Sequence, residues 1–216
     1  MLFRDRADAG RQLAQRLRAM ELVSPVVLAL PRGGVPVAAE IAAAFGAPMD
    51  VFVARKVGAP GHEEFGIGAI AEGLDKPVVS DAARHLRLHR RDVDQLAARA
   101  RDELERRVRL YRGDRQLPNL TARDVVLVDD GLATGVTAEA ALRSLRQQRP
   151  ARVILAVPVC SPDTADRLAA LADEVVCAAA PAQFFAVGQW YQNFSQTTDD
   201  EVLDLLERFR AGMGRS

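Results

Sequence analysis

Two adjacent carboxylates, Asp129 and Asp130, follow the apolar run Val125-Val126-Leu127-Val128 and precede the small-residue turn Gly131-Leu132-Ala133-Thr134-Gly135-Val136-Thr137. Four valine-rich apolar residues read as a buried strand, and residues 138–148 carry a helical pattern. In an open α/β sheet, ligands bind at the carboxyl ends of strands. A turn opening a helix offers free backbone N–H groups, and with two threonine hydroxyls it suits a phosphate. The neighbouring carboxylates suit sugar hydroxyls or a hydrated divalent cation. A phosphorylated sugar is the ligand that needs both. Two blander readings compete. The acids could hold Mg²⁺ in a nucleotide triphosphatase, but that requires a Gly-rich loop ending in Gly-Lys-Ser/Thr, which the chain lacks. They could merely cap the following helix, although this turn also assembles a phosphate nest.

Two further clusters sit after strand-like runs. Arg32, Gly33 and Gly34 follow residues 26–30, giving a guanidinium fork and backbone that phosphate oxygens can approach without a Cβ in the way. Taken alone, this is equally an ordinary strand-to-helix turn. Arg55 and Lys56 open a loop, 55–64, that contains Gly58, Pro60 and Gly61. Their isolated reading is a solvated strand end. Gly66-Ile67-Gly68-Ala69-Ile70-Ala71 matches a dinucleotide fingerprint but follows Glu63-Glu64-Phe65 instead of a buried strand, and Pro77 limits any helix after it. Its glycines are read as letting a flap bend. His62, His85 and His89 have no metal-ligand spacing, so zinc is not expected.

The elements that must position these residues alternate between strand and helix patterns, which predicts a parallel sheet with crossover helices. Strands are expected at 26–30, 51–54, 78–79, 125–128, 153–157 and 175–177, with a short extended excursion at 66–73. Helices are expected at 35–45, within 81–111, from 138, at 162–172 and at 199–209. The arginine-rich stretch 84–115 interleaves acids with Leu96, Leu104 and Val108, reading as a solvated amphipathic helix laced with ion pairs and not as a nucleic-acid surface. Phe184, Phe185, Trp190, Tyr191 and Phe194 gather in segment 181–195. They read either as a specificity element or as a small satellite core under a loop.

At 216 residues and 49% hydrophobic content, the chain buries a full core and is most simply one domain. Zero net charge advertises neither nucleic acid nor membrane. The start, Met1-Leu2-Phe3-Arg4-Asp5-Arg6, shows no secretory pattern, and no stretch has the roughly 20 apolar residues of a membrane span. Cys160 and Cys177 each end an apolar run and read as buried core thiols, consistent with a cytoplasmic protein.

Segment 125–137 resembles the phosphoribosyl-pyrophosphate (PRPP) signature of type I phosphoribosyltransferases. Leu30-Pro31-Arg32-Gly33-Gly34 resembles that family's pyrophosphate loop, in which a non-proline cis peptide is frequent; Pro31–Arg32 is the candidate bond. Residues 55–63 resemble the basic start of its mobile catalytic loop, especially that of adenine phosphoribosyltransferases. Phe185-Ala186-Val187-Gly188 is similar to the base-reading turn of the 6-oxopurine enzymes.

The resemblance implies a parallel α/β core over about 22–180, flanked by helices, with a small hood from about 1–21 and 181–198. It implies transfer of ribose 5-phosphate between PRPP and a nitrogen of an aromatic base, with Mg²⁺ as cofactor and pyrophosphate leaving, in a homodimer. Asp129 and Asp130 would hold the ribose hydroxyls and, directly or indirectly, Mg²⁺. Ala133, Thr134, Gly135, Val136 and Thr137 would hold the 5′-phosphate. Arg32, Gly33 and Gly34 would take the pyrophosphate, and Arg55, Lys56, Glu63 and Glu64 would act in the catalytic loop. Phe184, Phe185 and Val187 would meet the base. Two departures matter: Ala133 replaces the aspartate of the oxopurine enzymes, and Gln192 falls near their base-reading acid. The acceptor base therefore stays open, as does a second reading, a PRPP-sensing regulator of the same fold. A competence-associated relative would bring a cysteine-rich zinc segment, which is absent from the sequence.

Overall fold

The computed structural model describes residues 2–59, 61–80, 83, 85–86 and 88–213, without the side chains at 63, 64 and 211–213. Its centre is a five-stranded, all-parallel sheet in the order β2-β1-β6-β7-β8, with β1 Val26–Ala29, β2 Met49–Val51, β6 Asp124–Val128, β7 Arg152–Val159 and β8 Glu174–Ala179. The central strands are apolar throughout because both faces are covered. Val27, Ala29, Val126, Val128, Ile154 and Ala156 face one core, and Val26, Leu28, Val125, Leu127, Val153 and Leu155 face the other. The first core is closed by helices α1 (Arg6–Leu17), α2 (Gly34–Phe45) and α6 (Asp199–Met213), and the second by α4 (Val136–Gln147) and α5 (Pro162–Ala169).

The expected strand at 51–54 is divided. Residues 49–51 belong to the parallel sheet, whereas Ala54 begins a separate antiparallel sheet, β3 (Ala54–Ala59), β4 (His62–Ala71) and β5 (Val78–Val79). Residues 55–59 and 62–64, expected in a loop, are therefore antiparallel strand. The register of this hairpin runs regularly from Ala54↔Ala71 to Val57↔Gly68 and shifts around Gly58. The hairpin packs between α4 and the long helix α3 (Arg90–Arg112). Gly66 and Gly68, read from sequence as flap glycines, stand where a side chain would meet its neighbours. A Cβ on Gly68 would stand 2.4 Å from the Val78 carbonyl oxygen, and one on Gly66 2.7 Å from Lys56 Cδ.

Helix α3 has the expected ion-paired surface, with Glu103 receiving Arg106 at 2.7 Å and Arg107 at 2.9 Å. Among the described residues, no helix is long and apolar enough to cross a membrane.

Candidate functional site

Strands β1 and β6 are paired neighbours, with Ala29 beside Val128, so the loops after them emerge side by side. The Pro31–Arg32 bond is cis, at the position expected. A Cβ on Gly33 would lie 1.9 Å from Asp130 Oδ2, and one on Gly34 would lie 2.6 Å from the Val128 carbonyl oxygen. The glycine pair thus has a reason that the sequence reading missed. The loop after β1 must nest against the acid turn after β6, and a side chain at either position would force the two apart.

Asp129 and Asp130 are both half-buried. Asp129 Oδ1 accepts the Asp130 backbone N–H at 2.9 Å. Asp130 Oδ2 accepts Arg6 Nε–H at 2.8 Å and forms an ion pair with the same guanidinium, Nη2 also lying 2.8 Å away. Arg6 also donates to the Ser195 carbonyl at 2.6 Å, and its guanidinium lies 4.0 Å from the Phe194 ring centroid. The Tyr191 hydroxyl donates to the Asp130 carbonyl oxygen at 2.6 Å, and its ring stacks on Phe194 with centroids 4.9 Å apart.

Burial pushes the Asp129 carboxyl well above the usual carboxylate range, and the charge of Asp130 adds to this. Burial also raises Asp130, but there Arg6 opposes it. The Tyr191 phenol is likewise pushed up by burial, then by Asp130.

The next turn is built to leave donors open. The N-cap of α4 is Gly135, in the left-handed region at φ +65°, and no side chain caps the helix. The first four N–H groups of a helix have no intrahelical partner, so the donors at this end are left for a ligand or water. A Cβ on Gly135 would also stand 2.6 Å from Thr164 Cγ2. Helix α5 holds the turn from behind: the Thr164 hydroxyl donates to the Ala133 carbonyl at 2.8 Å, and Arg167 donates to the Thr134 carbonyl while pairing with Glu139. Ala133 and Thr134 are exposed, and Thr137 is half-buried.

The hairpin separates Arg55 from Lys56, because successive strand residues point to opposite faces. Arg55 shares a face with Val57 and Ala59, against α3. Its guanidinium is held below its usual pKa by burial, then by Arg107. Lys56 lies on the other face with Ala54 and Ala69, towards Val136 and α4. On that side a cavity of about 470 Å³ runs between the hairpin and the turn, lined by residues including Gly66, Ser80, Thr134, Val136 and Arg143. The side chains of Glu63 and Glu64 lie outside the described residues.

Arg32 is not turned to the acids. It pairs with Asp199 at 3.7 Å, and Asp199 also accepts the Tyr111 hydroxyl. In the aromatic segment, Val187 reaches the site: a Cβ on Gly131 would stand 2.5 Å from Val187 Cγ1. Phe184 is half-buried and Phe185 is 78% exposed. Arg6, Arg167 and Asp199 were not anticipated from sequence, and Tyr191 was read only as one of the aromatics of segment 181–195. Arg6 and Asp130 are 124 positions apart, and no periodic pattern connects them.

The family model of the phosphoribosyl transferase domain matches residues 4–192. The chain belongs to this family. A Mycobacterium tuberculosis protein provisionally named a phosphoribosyl transferase is 49% identical over 207 residues, covering 96% of this chain and 47% of that protein. The chain therefore spans about half the length of the curated relatives it matches. The crystal structure of the TT1426 protein from Thermus thermophilus superposes with a TM-score of 0.82 at 47% identity, covering 97% of this chain and 99% of that one. The AQ2163 protein from Aquifex aeolicus shares the fold at 15% identity and a TM-score of 0.50, covering 93% of this chain and 84% of that one. The resemblance read from three short loops thus extends over residues 4–192 of the chain. It assigns the architecture, and leaves each side chain's role to the chemistry of the site.

Proposed function

We propose that this domain binds PRPP together with Mg²⁺ and transfers ribose 5-phosphate to or from a nitrogen of an aromatic base, releasing or consuming pyrophosphate. One observation carries this reading. The glycine loop after β1 is nested on the paired carboxylates, and the same acid turn runs into a helix N-terminus with no side-chain cap. Phosphate at that terminus leaves the ribose hydroxyls within the span of Asp129 and Asp130, and the pyrophosphate beside Gly33 and Gly34.

Arg6 holds the Asp130 carboxylate in one orientation, so a sugar hydroxyl meets a fixed acceptor. Lys56 lies on the hairpin face turned towards this turn and is placed to offset negative charge on the leaving group. The hairpin tip would close to exclude water from the developing positive charge at the anomeric carbon. The acceptor base belongs to the hood, residues 1–21 and 181–198, where Val187 approaches the turn.

Mg²⁺ fits this donor set as an ion shared with the substrate. Among the described residues no group of three or more His, Cys, Asp and Glu could hold a metal, but Mg²⁺ commonly takes one or two carboxylates and finds its other ligands in phosphates and water. When bound, it would neutralise charge on the pyrophosphate.

One observation favours the second reading, a PRPP-sensing domain without turnover: Arg32, expected at the pyrophosphate, is paired with Asp199. Titration calorimetry with PRPP and Mg²⁺, followed by a screen of purines, pyrimidines and pyridines for pyrophosphate release, separates the two. The transferase reading expects binding that Asp129→Asn or Asp130→Asn weakens, and release with at least one base. Binding without release from any base favours the sensor. Absence of binding overturns both.

A further inference from the structure

The chain contains two cysteines, and the fold brings them together although they are 17 residues apart. Cys160 Sγ lies 2.7 Å from Cys177 Sγ. Both are free thiols; Cys160 is buried and Cys177 half-buried. Cys160 closes the end of β7, and its N–H donates to the Ala179 carbonyl at 3.2 Å. Cys177 sits on β8, its sulfur 2.9 Å from that same carbonyl oxygen. The Arg16 guanidinium donates to the Ala178 carbonyl at 2.9 Å, which places a cation next to Cys177. The two thiols are therefore unequal: one is reachable and near positive charge, the other is enclosed behind it.

We propose that Cys160 and Cys177 are a redox pair that closes into a reversible intramolecular disulfide. Disulfides in a reducing compartment are usually transient or redox-sensing, and a nucleophilic thiol with a resolving partner in contact is the arrangement that such chemistry needs. The oxidant is a low-molecular-weight disulfide. The Cys177 thiolate attacks one of its sulfurs, forming a mixed disulfide and expelling one thiolate. The Cys160 sulfur then attacks Cys177 Sγ and expels the second thiolate, which takes the Cys160 proton. Two cysteine thiols are oxidised and one small disulfide is reduced to two thiols.

The directions of the two acidities agree with these roles. Cys177 is held below the usual thiol range, chiefly by the hydrogen bond from Cys160, whereas that same contact and then burial push Cys160 up. The pair also sits close to the acid turn. Cys160 bridges Leu132, and the Leu132 N–H donates to the Val159 carbonyl at 2.9 Å. The pair itself does not depend on the phosphoribosyl reading, and its test needs no substrate.

The folded full chain would be equilibrated in mixtures of reduced and oxidised glutathione, quenched with acid, alkylated with N-ethylmaleimide and weighed by intact mass spectrometry. The expected product in oxidising mixtures is a protein two hydrogens lighter that takes up no maleimide and returns to two free thiols with dithiothreitol. Cys160→Ser should instead accumulate a glutathione adduct on Cys177, because the resolving thiol is missing. Cys177→Ser should keep Cys160 reduced and unmodified. The proposal fails if the wild type takes up two maleimides across the whole series, or if glutathione adducts accumulate in it without a disulfide. The wild-type measurement decides this even if either variant folds poorly.

Discussion

Gly33 needs no unusual backbone. Its φ of −60° is open to any residue, so only the carboxylate of Asp130 forbids a side chain there. Gly33→Ala should therefore act through Asp130, pushing it away from Arg6. If the displaced carboxylate loses its charge-assisted hydrogen bond to a ribose hydroxyl, about 1.5–3 kcal/mol, PRPP binding weakens by roughly 10- to 150-fold. Gly46 is the matched control: it is left-handed at φ +57° with open space around its missing Cβ. Gly46→Ala should cost roughly 1–2 kcal/mol of stability and leave PRPP affinity alone. Calorimetry and chemical denaturation of the two variants would show opposite patterns; matching losses of affinity would refute the steric account.

Asp129 gives a second prediction at this scale. Burial and the neighbouring Asp130 raise its folded pKa above the ordinary value of 3.8, so the folded state favours the proton more than the unfolded chain does. The stability linked to this group is full below 3.8 and falls as pH rises through the raised value. Asp129→Asn removes that dependence. Near neutral pH the variant should melt above the wild type, with the gap shrinking as the pH falls towards 3.8, even though PRPP binding is weakened. A gap that widens towards acid would contradict the sign.

Among the elements, the antiparallel hairpin has the sharpest functional consequence. Its two basic residues were expected to act together, but strand alternation sends Arg55 towards α3 and Lys56 towards α4. Lys56→Ala should lower the rate of pyrophosphate release by roughly 100-fold, the scale of removing one charge-stabilising group, with little change in melting temperature. Arg55→Ala should leave the rate near wild type. Equal losses in the two variants would mean that the hairpin rearranges on binding.

The same element marks where sequence reading stopped. Strands β1, β6 and β7 were legible because each is a continuous apolar run buried on both faces. The hairpin was legible only in part: residues 66–73 read as extended and 78–79 as a strand, while 55–64 read as a loop. Gly58, Gly61, Gly66 and Gly68 interrupt its alternation, and its strands are held by packing between two helices distant in sequence. The run Val51-Phe52-Val53-Ala54 looked like one strand but turns a corner between two sheets, with Phe52 in one core and Val53 in the other.

At the scale of the whole molecule, the parallel architecture and the positions of the loops after β1 and β6 follow from local pattern. Their mutual contacts do not. The Arg6–Asp130 pair, the Tyr191 hydrogen bond to the acid turn and the meeting of Cys160 with Cys177 all depend on the chain returning to one end of the sheet. Each joins segments with no shared periodicity, so only the assembled fold reveals them.

One consequence of the hairpin concerns mechanics. β4 runs for 10 residues, His62–Ala71, and backbone pairing with β3 makes the unit a stiff lever. At ~3.3 Å per residue the six residues of β3, Ala54–Ala59, set its length at about 20 Å, so a rotation of ~10° at its base sweeps the tip through about 3.5 Å. Travel on that scale is comparable to the thickness of one layer of water. A small turn where the chain leaves the parallel sheet would thus be amplified at the tip.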